Sequence, residues 1–282
     1  MVNKKLVILL LLLFLNPLIA CSDSEESANE YADQAEEYYK LYQGLEPVPL
    51  ISQSEADFSY EDAYTFQEAF ANEFEEAGDE LIGYKLGLTG AQRPFGATEA
   101  LYGRLYKSMV EPEGEVIDLS DFVNGRLEIE MAFVFEEDVD KPITLDEVKG
   151  AVGTVAPAVE VPDLLFADMQ NLSWLDLIAL DVAPRQLIIG NQQPVESVDV
   201  NSITVQAIYN GEQISEGAST NVMGDQWAAL LFLAEKLDAR GQQIEAGDIV
   251  ITGAMSGMLP AEPGSYQIEY GEFGTIEFDV VE

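Results

Sequence analysis

The chain has 282 residues, 48% of them hydrophobic, which is enough for one large or two modest domains with a substantial core. Its 52 acidic and 13 basic residues give a formal net charge of −39, and so acidic a surface argues against nucleic acid as a partner. With no histidine and one cysteine, the sequence excludes histidine-based nucleophilic schemes, histidine-ligated zinc, an intrachain disulfide and a cysteine-cluster metal site.

The amino terminus, residues 1–20, has the pattern of an export signal. Lys4 and Lys5 form a basic start, and the apolar run at 6–15 that follows them is short for a membrane span. The sequence therefore predicts that this segment directs export and is removed.

The end of the predicted signal, Leu-Ile-Ala-Cys at 18–21, resembles the bacterial lipoprotein cleavage box. The resemblance implies cleavage before Cys21, lipidation of its thiol and anchoring to a bacterial membrane on the periplasmic or cell-surface side. The alternative is an ordinary signal peptide, or a plain anchor, with an incidental cysteine. Residues 21–30 are acidic and rich in small side chains, which predicts a solvated tether.

Two amphipathic helices are predicted in the amino-terminal part. Tyrosines at helical spacing predict the first over 31–45, and Glu-Pro-Val-Pro at 46–49 ends it. Ser59 is a predicted N-cap with Asp62 in the first turn, so the second helix runs to about Ala77. Its apolar face carries Ala63, Phe66, Phe70 and Phe74. An aromatic stripe of this kind is far more often core than a ligand site.

Lys85 stands in an apolar, glycine-flanked segment, Leu-Ile-Gly-Tyr-Lys-Leu-Gly-Leu-Thr-Gly at 81–90, which predicts a strand. In an enzyme without histidine, protons must move through Lys, Glu, Asp, Tyr or water. A lysine in surroundings of this kind can become a usable proton carrier. The alternative is a lysine that reaches solvent from a strand edge, and spacing alone leaves both open.

Two glutamates share one face of a predicted strand at 127–135. Because side chains two apart in a strand point to the same side, Glu128 and Glu130 project together and repel each other unless a cation lies between them. Glu160 is a third acid, inside the otherwise uncharged run at 156–161, and it also needs a partner. Carboxylate oxygens are preferred by Mg²⁺ and Mn²⁺. The alternative is a half-exposed strand with its polar face in water.

The remaining patterns predict short elements, and many short strands with few helices indicate a strand-rich α+β body. They are a helix capped by Thr144 and ending at Gly150, a buried strand at 185–190, a hairpin around Asn210, a helix at 223–239, a strand at 249–252 and a closing hairpin at 266–281. A glycine-bearing loop at 252–257 could approach a ligand, although such loops are also common turns.

Four stretches together resemble the 2-keto-4-pentenoate hydratase branch of the fumarylacetoacetate hydrolase superfamily. They are the helix and Gly-Tyr-Lys-Leu-Gly-Leu-Thr segment at 63–89, Leu-Glu-Ile-Glu-Met-Ala-Phe at 127–133, Ala-Pro-Ala-Val-Glu-Val at 156–161 and Gly-Asp-Ile-Val-Ile-Thr-Gly-Ala at 247–254. The stretches occur in the family's order and cover most of the chain beyond the signal.

The resemblance implies a mixed β-roll body of the fumarylacetoacetate hydrolase C-terminal type at 106–282, with a smaller helical amino-terminal part at 31–105. It implies that Mg²⁺ or Mn²⁺ is held by the three glutamates, that the protein is a homo-oligomer and that the substrate is a small anionic 2-oxo acid. The residues with implied roles are Lys85 as the catalytic residue, Glu128, Glu130 and Glu160 as metal ligands, and Ser108, Asp181, Thr252 and Ser256 as substrate-binding residues.

The sequence departs from the family pattern in two places and in its exported location. Ser108 stands where the family usually has an acid before a methionine, and Leu180 and Asp181 stand where it has Asp and Asn. These changes concern the substrate and proton-relay details, whereas the metal ligands match.

The resemblance implies a metal-dependent hydratase that adds water to a short unsaturated 2-oxo acid such as 2-oxopent-4-enoate. The lack of histidine separates this chain from the superfamily's carbon–carbon hydrolases, which use a histidine base. One alternative is a decarboxylase of the 4-oxalocrotonate type, because a stabilised enolate serves both reactions. The other is a catalytically inactive, lipid-anchored binding protein on the same fold.

Overall fold

The computed structural model describes residues 30–282 except 113 and 115. The predicted export signal at 1–20, the lipidation site Cys21 and all of the tether except Glu30 lie outside the described residues. Among the residues that are described, no helix is both long enough and apolar enough to cross a membrane.

The amino-terminal part is built from three helices, and two of them were predicted. They are α1 (Ala32–Gln43), α2 (Ile51–Ser54) and α3 (Tyr60–Glu76). The predicted cap of α3 is confirmed, because the Ser59 hydroxyl accepts from the Asp62 amide at 3.2 Å and the Asp62 carboxylate accepts from the Ser59 amide at 2.9 Å. The aromatic stripe is core, as expected: Phe66 packs on Tyr38 and Phe74 on Tyr42.

The main sheet has nine strands and carries both halves of the chain. With strands numbered along the chain, its members are β1 (Leu81–Gly87), β2 (Leu101–Tyr106), β3 (Val110–Glu111), β5 (Arg126–Phe135), β6 (Val152–Val161), β7 (Gln186–Ile189), β8 (Gln193–Pro194), β11 (Ile249–Ile251) and β12 (Leu259–Pro260). The order is β2-β1-β11-β5-β6-β7-β3, with β12 paired to β5 and β8 to β6. The sheet is mixed, since β1 runs parallel to β11 and β3 to β7, whereas the other pairs are antiparallel.

A second sheet of five strands is formed largely by the two predicted hairpins. Its strands are β4 (Val116–Asp118), β9 (Thr204–Tyr209), β10 (Glu212–Ala218), β13 (Gly264–Glu269) and β14 (Thr275–Val281), in the order β10-β9-β13-β14-β4. The β9–β10 turn is confirmed at Asn210 and Gly211, which have φ of 50° and 85°. Positive φ at both central residues is the requirement of a tight hairpin, and it explains the Asn-Gly pair.

Three further helices follow β5, and one begins later than predicted. They are α4 (Leu145–Ala151), α5 (Trp174–Ala179) and α6 (Gln226–Ala239). Helix α6 does not start at Met223, because Met223 and Gly224 have positive φ and Asp225 caps the helix through the Trp227 amide. Helix α5 escaped the sequence analysis because it has only six residues, too few for a periodic pattern.

Most buried apolar side chains of the helices and of both sheets form one large cluster, and a smaller second cluster lies on the main sheet. Strands β1 and β2 lie in the same sheet as β5 and β6, so the predicted division between residues 105 and 106 falls within the main sheet. This arrangement places Lys85, from the first part of the chain, beside glutamates from the second.

Candidate active site

Three glutamate side chains converge on the centre of the main sheet. Glu128 and Glu130 lie two apart on β5, and Glu160 on β6 is the direct cross-strand partner of Glu128. One carboxylate oxygen from each lies within 4.8 Å of the other two. The strand period and the register of the β5–β6 pair therefore bring together the three predicted metal ligands.

Burial makes this cluster electrostatically unfavourable for carboxylates alone. Glu130 and Glu160 are buried, and Glu128 is half-buried. Burial and the nearby charge of Glu160 raise the pKa of Glu128 to about 7. Burial, followed by the charges of Glu160 and Glu128, raises the pKa of Glu130 well above its usual value. The cluster therefore needs either protons or an additional cation.

Carboxylate oxygens that lack a hydrogen-bond partner indicate whether the site is suited to protons or to a cation. Glu130 accepts one hydrogen bond, from the Gly253 amide at 2.7 Å, through Oε2. Its Oε1 and the Oε2 of Glu160 are buried and have no partner among the described residues. Buried polar atoms are normally satisfied, and a purely carboxylate donor set suits a hard divalent cation such as Mg²⁺ or Mn²⁺. The residues present therefore fit a divalent metal.

Lys85 is the cation that the structure does place in the cluster. It is 1% exposed, and its ammonium donates to Glu160 Oε1 and, at 2.8 Å, to the carbonyl oxygen of Val182. Its strand β1 lies between β2 and β11, which rules out the alternative of a lysine that reaches solvent from a strand edge. A lysine ammonium has three N–H donors, and these two bonds leave one for another acceptor.

Two glycines leave room for the chain segment that contacts Lys85. A Cβ at Gly87 would lie 2.6 Å from the Val182 side chain, and a Cβ at Gly103, which is directly opposite Lys85 on β2, would overlap the carbonyl oxygen of Asp181. The backbone at 181–183 can therefore pack directly on the sheet. A side chain at position 87 or 103 would collide with this segment, which explains the glycines at both positions.

The four predicted substrate-binding residues do not form one group. Thr252 is buried at the end of β11, where its hydroxyl donates to Gln226 at 2.6 Å. Asp181 is buried in the turn at 181–183, whose Val182 carbonyl contacts Lys85. Its carboxylate faces Arg104. Ser256 is partly exposed, and its hydroxyl donates to the neighbouring Gly257 carbonyl.

Ser108 is not brought to the glutamates. Its hydroxyl donates at 2.5 Å to Asp79, which precedes β1 at the end of the strand away from Lys85. Both groups lie at the protein surface. Ser108 therefore makes a local surface contact in this structure, and no contact among the described residues places it against the carboxylate cluster.

Two residues near the cluster were not singled out from sequence. Tyr270 is buried, donates to the Ala158 carbonyl at 2.5 Å, and has a pKa raised well above its usual value by burial and by Glu130. The Thr89 hydroxyl is buried without a partner among the described residues and lies against Gly253. Thr89 belongs to the Gly-Leu-Thr signal already noted, whereas nothing local in the sequence marks Tyr270.

A large cleft lies elsewhere on the molecule. It has a volume of about 860 Å³ and is lined by Tyr84 and Arg104 but by none of the three glutamates or Lys85. Tyr84 and Arg104 alternate with Lys85 and Gly103 along their strands, so they face the opposite side of the sheet. The cleft is therefore separate from the carboxylate cluster.

Residues 64–281 match the fumarylacetoacetate (FAA) hydrolase C-terminal family. The chain belongs to this family. The match covers most of the described chain and confirms the strand-rich α+β fold that the four sequence stretches indicated.

Relatives within the fumarylacetoacetate hydrolase family carry two different reaction names. The chain is 28% identical over 221 residues to a 4-oxalocrotonate decarboxylase of Pseudomonas sp. (strain CF600), covering 77% of this chain and 83% of that protein. It is 27% identical over 237 residues to a 2-keto-4-pentenoate hydratase of Paraburkholderia xenovorans (strain LB400), covering 82% and 87%. The first relative is thus named for a decarboxylation and the second for a hydration.

A solved structure resembles most of the chain. The 4-oxalocrotonate decarboxylase from Pseudomonas putida G7, complexed with magnesium and adipate, has a TM-score of 0.85 and 25% identity, covering 92% of this chain and 98% of that one. A less similar structure shows likeness of fold alone: a fumarylpyruvate hydrolase from Pseudomonas aeruginosa, in complex with Mn²⁺ and pyruvate, has a TM-score of 0.55 and 17% identity.

Proposed function

We propose that this protein is a divalent-metal-dependent hydratase that adds water to a short unsaturated 2-oxo acid such as 2-oxopent-4-enoate in its dienol form. The observation that carries the proposal is the convergence of Glu128, Glu130 and Glu160 with the buried Lys85. Relatives named hydratase and decarboxylase, at 27% and 28% identity, support a lyase reaction on such a substrate.

The three glutamates would hold Mg²⁺ or Mn²⁺, and their unpartnered buried oxygens support this assignment. When bound, the metal supplies Lewis-acid stabilisation of enolate charge and the local positive charge that an anion needs in a protein of net charge −39. Gly253 contributes by holding Glu130 Oε2 with its amide, which fixes the orientation of that carboxylate. Burial of the cluster excludes bulk water and strengthens each of these interactions.

Lys85 would transfer the proton that converts the dienol into the conjugated ketone. An N–H proton of the ammonium is delivered to the terminal carbon, and the proton that the enol hydroxyl loses restores the ammonium, so neither the carbon skeleton nor Lys85 gains a net charge. The oxygen of a water molecule then bonds to the fourth carbon, keeping one of its protons, while its other proton is added at the third carbon. The product is a 4-hydroxy-2-oxo acid, and the bonds from Lys85 to Glu160 and Val182 hold the ammonium in place for the first step.

The experiment is a turnover assay with 2-hydroxypenta-2,4-dienoate in the presence of Mg²⁺ or Mn²⁺. We expect the dienol absorbance to disappear and 4-hydroxy-2-oxopentanoate to accumulate, as identified by NMR, with loss of both signals in a Glu130→Gln variant. Absence of water addition by the wild-type protein with either metal would overturn the hydratase assignment.

Decarboxylation of a 4-oxalocrotonate-like substrate is the second candidate. It is favoured by the decarboxylase structure whose TM-score to this chain is 0.85. Carbon dioxide release from 4-oxalocrotonate, measured beside the hydration assay, separates the two reactions. Failure of both with a protein that still binds metal would favour the inactive binding protein on the same fold.

We also propose that the protein is exported and anchored through a lipid on Cys21, and that it forms a homo-oligomer. The first proposal is supported by the basic start, the apolar run and the Leu-Ile-Ala-Cys sequence of the first 21 residues. A Cys21→Ser variant should move from the membrane to the soluble fraction of cells. Unchanged membrane association of that variant would contradict lipidation.

The proposed homo-oligomer is tested separately, because light scattering would measure the oligomeric state of the protein.

A further inference from the structure

The turn that contacts Lys85 has an unusual backbone. Asp181, Val182 and Ala183 have φ of 55°, 60° and 56°, three successive residues in the left-handed region. No glycine is present to relieve this conformation, and it is least favourable for a β-branched residue such as Val182. Strained backbone of this kind persists only where the surrounding structure holds it, and it clusters at functional sites.

A buried polar group holds the turn against strand β2. Asp181, 0% exposed, accepts through Oδ1 from the backbone amide of Arg104 at 2.9 Å, and the Arg104 guanidinium lies 3.7 Å from the same oxygen. The guanidinium also donates to Gln67 at 3.2 Å. Gln67 in turn donates to the carbonyl of Ile178 at 2.9 Å, in the helix that leads into the turn. Contacts from β2 and α3 therefore fix both the turn and the helix before it.

The position of the turn decides where the lysine head lies. The carbonyl oxygen of Val182 accepts from the Lys85 ammonium at 2.8 Å, and the Val182 side chain lies against Gly87 two residues along the same strand. On the other side of the ammonium, Glu160 accepts a hydrogen bond from a second N–H of Lys85. A shift of the turn away from β2 would therefore remove one of the two acceptors that aim the third N–H.

We propose that Asp181, together with Arg104, is a positioning residue for Lys85. It acts through the Val182 carbonyl and does not itself contact the substrate. What the turn requires is the oxygen that accepts from the Arg104 amide, and the negative charge of Asp181 is secondary. Asparagine, which keeps that oxygen, should therefore replace Asp181 with little loss, whereas alanine should not.

The kinetic part of this proposal rests on the proposed function. We would measure kcat, KM and Mn²⁺ affinity for Asp181→Ala, Asp181→Asn and the matched control Asp176→Ala. Asp176 is a buried aspartate at the other end of α5, where it accepts from the backbone amides of Ser52 and Ser173.

We expect Asp181→Ala to lose about 10- to 100-fold in kcat, because displacement of a catalytic group by about 1 Å has effects of that size. KM and Mn²⁺ affinity should change by less than about threefold, and Asp181→Asn should keep kcat within about threefold of wild type. Asp176→Ala should lower the Tm without changing kcat. Unchanged kcat in Asp181→Ala, or an equal loss in Asp181→Asn, would overturn the proposal.

A second readout does not require turnover. NMR of isotope-labelled lysine should show a slowly exchanging Lys85 ammonium signal, identified by its absence in Lys85→Met, in wild type and Asp181→Asn but not in Asp181→Ala. Should Asp181→Ala fail to fold, Asp181→Ser, whose hydroxyl is one bond shorter, takes its place with the same expectation. A wild-type protein without activity would defeat the proposed function alone, whereas an unchanged lysine signal in the alanine or serine variant would defeat this inference.

Discussion

At the scale of the residue, the site is three carboxylates around one ammonium group. Lys85 neutralises only one of Glu128, Glu130 and Glu160, so the remaining negative charge must be removed by protons or by a metal. Burial and this imbalance together underlie the raised pKa values of Glu128 and Glu130, and the imbalance and the unpartnered oxygens support the proposed metal. It also makes the cluster sensitive to replacement of the lysine and to pH.

Replacing Lys85 with alanine should separate catalysis from metal binding. We expect kcat to fall about 10²- to 10⁴-fold, the range for loss of a general acid or base, because no other cation contacts Glu160 in the described structure. Mn²⁺ should still bind, since all three glutamates remain. Lys107→Ala is the control, because Lys107 forms only an exposed ion pair with Glu80, and such pairs contribute little to stability. Normal turnover by Lys85→Ala would contradict the catalytic role.

The metal-free protein should become less stable as the pH rises. Because the pKa of Glu128 is raised to about 7, the folded state binds more protons than the unfolded state between the ordinary glutamate pKa and about 7. The free energy of unfolding should therefore decrease from about pH 5 to about pH 8, with Tm falling by about 2–4 °C for each kcal/mol lost.

Two comparisons isolate the cause of that change. Asp181 and Asp248, whose pKa values are raised to about 6, act in the same direction, so Glu128→Gln should flatten the slope without removing it. Excess Mg²⁺ should oppose the slope, because the metal binds the deprotonated carboxylates. Thermal unfolding across this range checks both, and a metal-free Tm that rises with pH would be the contrary result.

Single residues differ in how far the sequence reveals them. Lys85, Glu128 and Glu130 could be predicted because a charged residue in an apolar strand is conspicuous and the strand period puts the two acids on one face. The role of Asp181 could not, because its partner Arg104 is 77 residues away and the contact depends on the packing of a turn on a strand. Ser108 was assigned by family position alone, and in the structure its hydroxyl bonds Asp79 at the surface, so its role in substrate binding stays a prediction.

At the scale of the element, strands β1 and β2 are shaped by glycines so that a strained turn can lie on them. The sequence predicted β1, β5, the capped helices and both hairpins, since their signals are local: period, caps and an Asn-Gly turn. It did not predict the left-handed turn at 181–183, because only Asp181 is of a type that enters that conformation readily, whereas Val182 and Ala183 disfavour it.

Adding one methyl group at Gly103 tests this packing. In Gly103→Ala the new Cβ would overlap the Asp181 carbonyl, so the turn must move, and overpacking of this kind typically costs about 1–3 kcal/mol. We also expect kcat to fall, because the Val182 carbonyl moves with the turn. Urea unfolding and the hydration assay measure the two effects.

Gly150→Ala is the matched control for that substitution. Gly150 lies in helix α4 with no other group near its Cβ position, so alanine should stabilise the protein by about 0.5–1 kcal/mol and leave kcat unchanged. If Gly103→Ala behaved like Gly150→Ala, close packing of the turn on β2 would not determine the position of the Lys85 ammonium.

At the scale of the whole molecule, the main sheet joins distant parts of the chain into one site. Strand β11, near the carboxyl end, lies between β1 and β5, so that Lys85, Glu130 and Gly253 meet although they span most of the sequence. That order of strands could not be derived from periodicity, and the family resemblance implied only a mixed β-roll. The acidity of the whole chain makes a local cation necessary for any anionic substrate.

In the proposed site the three glutamates hold a metal, and binding of a 2-oxo acid requires that metal. Calorimetry with Mn²⁺, followed by oxalate as a 2-oxo-acid mimic, tests it most directly with wild type, Glu130→Gln and the control Glu136→Gln, whose exposed acid follows β5. We expect wild type and the control to bind Mn²⁺, oxalate to bind only once Mn²⁺ is present, and Glu130→Gln to bind neither. Failure of the wild-type protein to bind Mn²⁺ would contradict it.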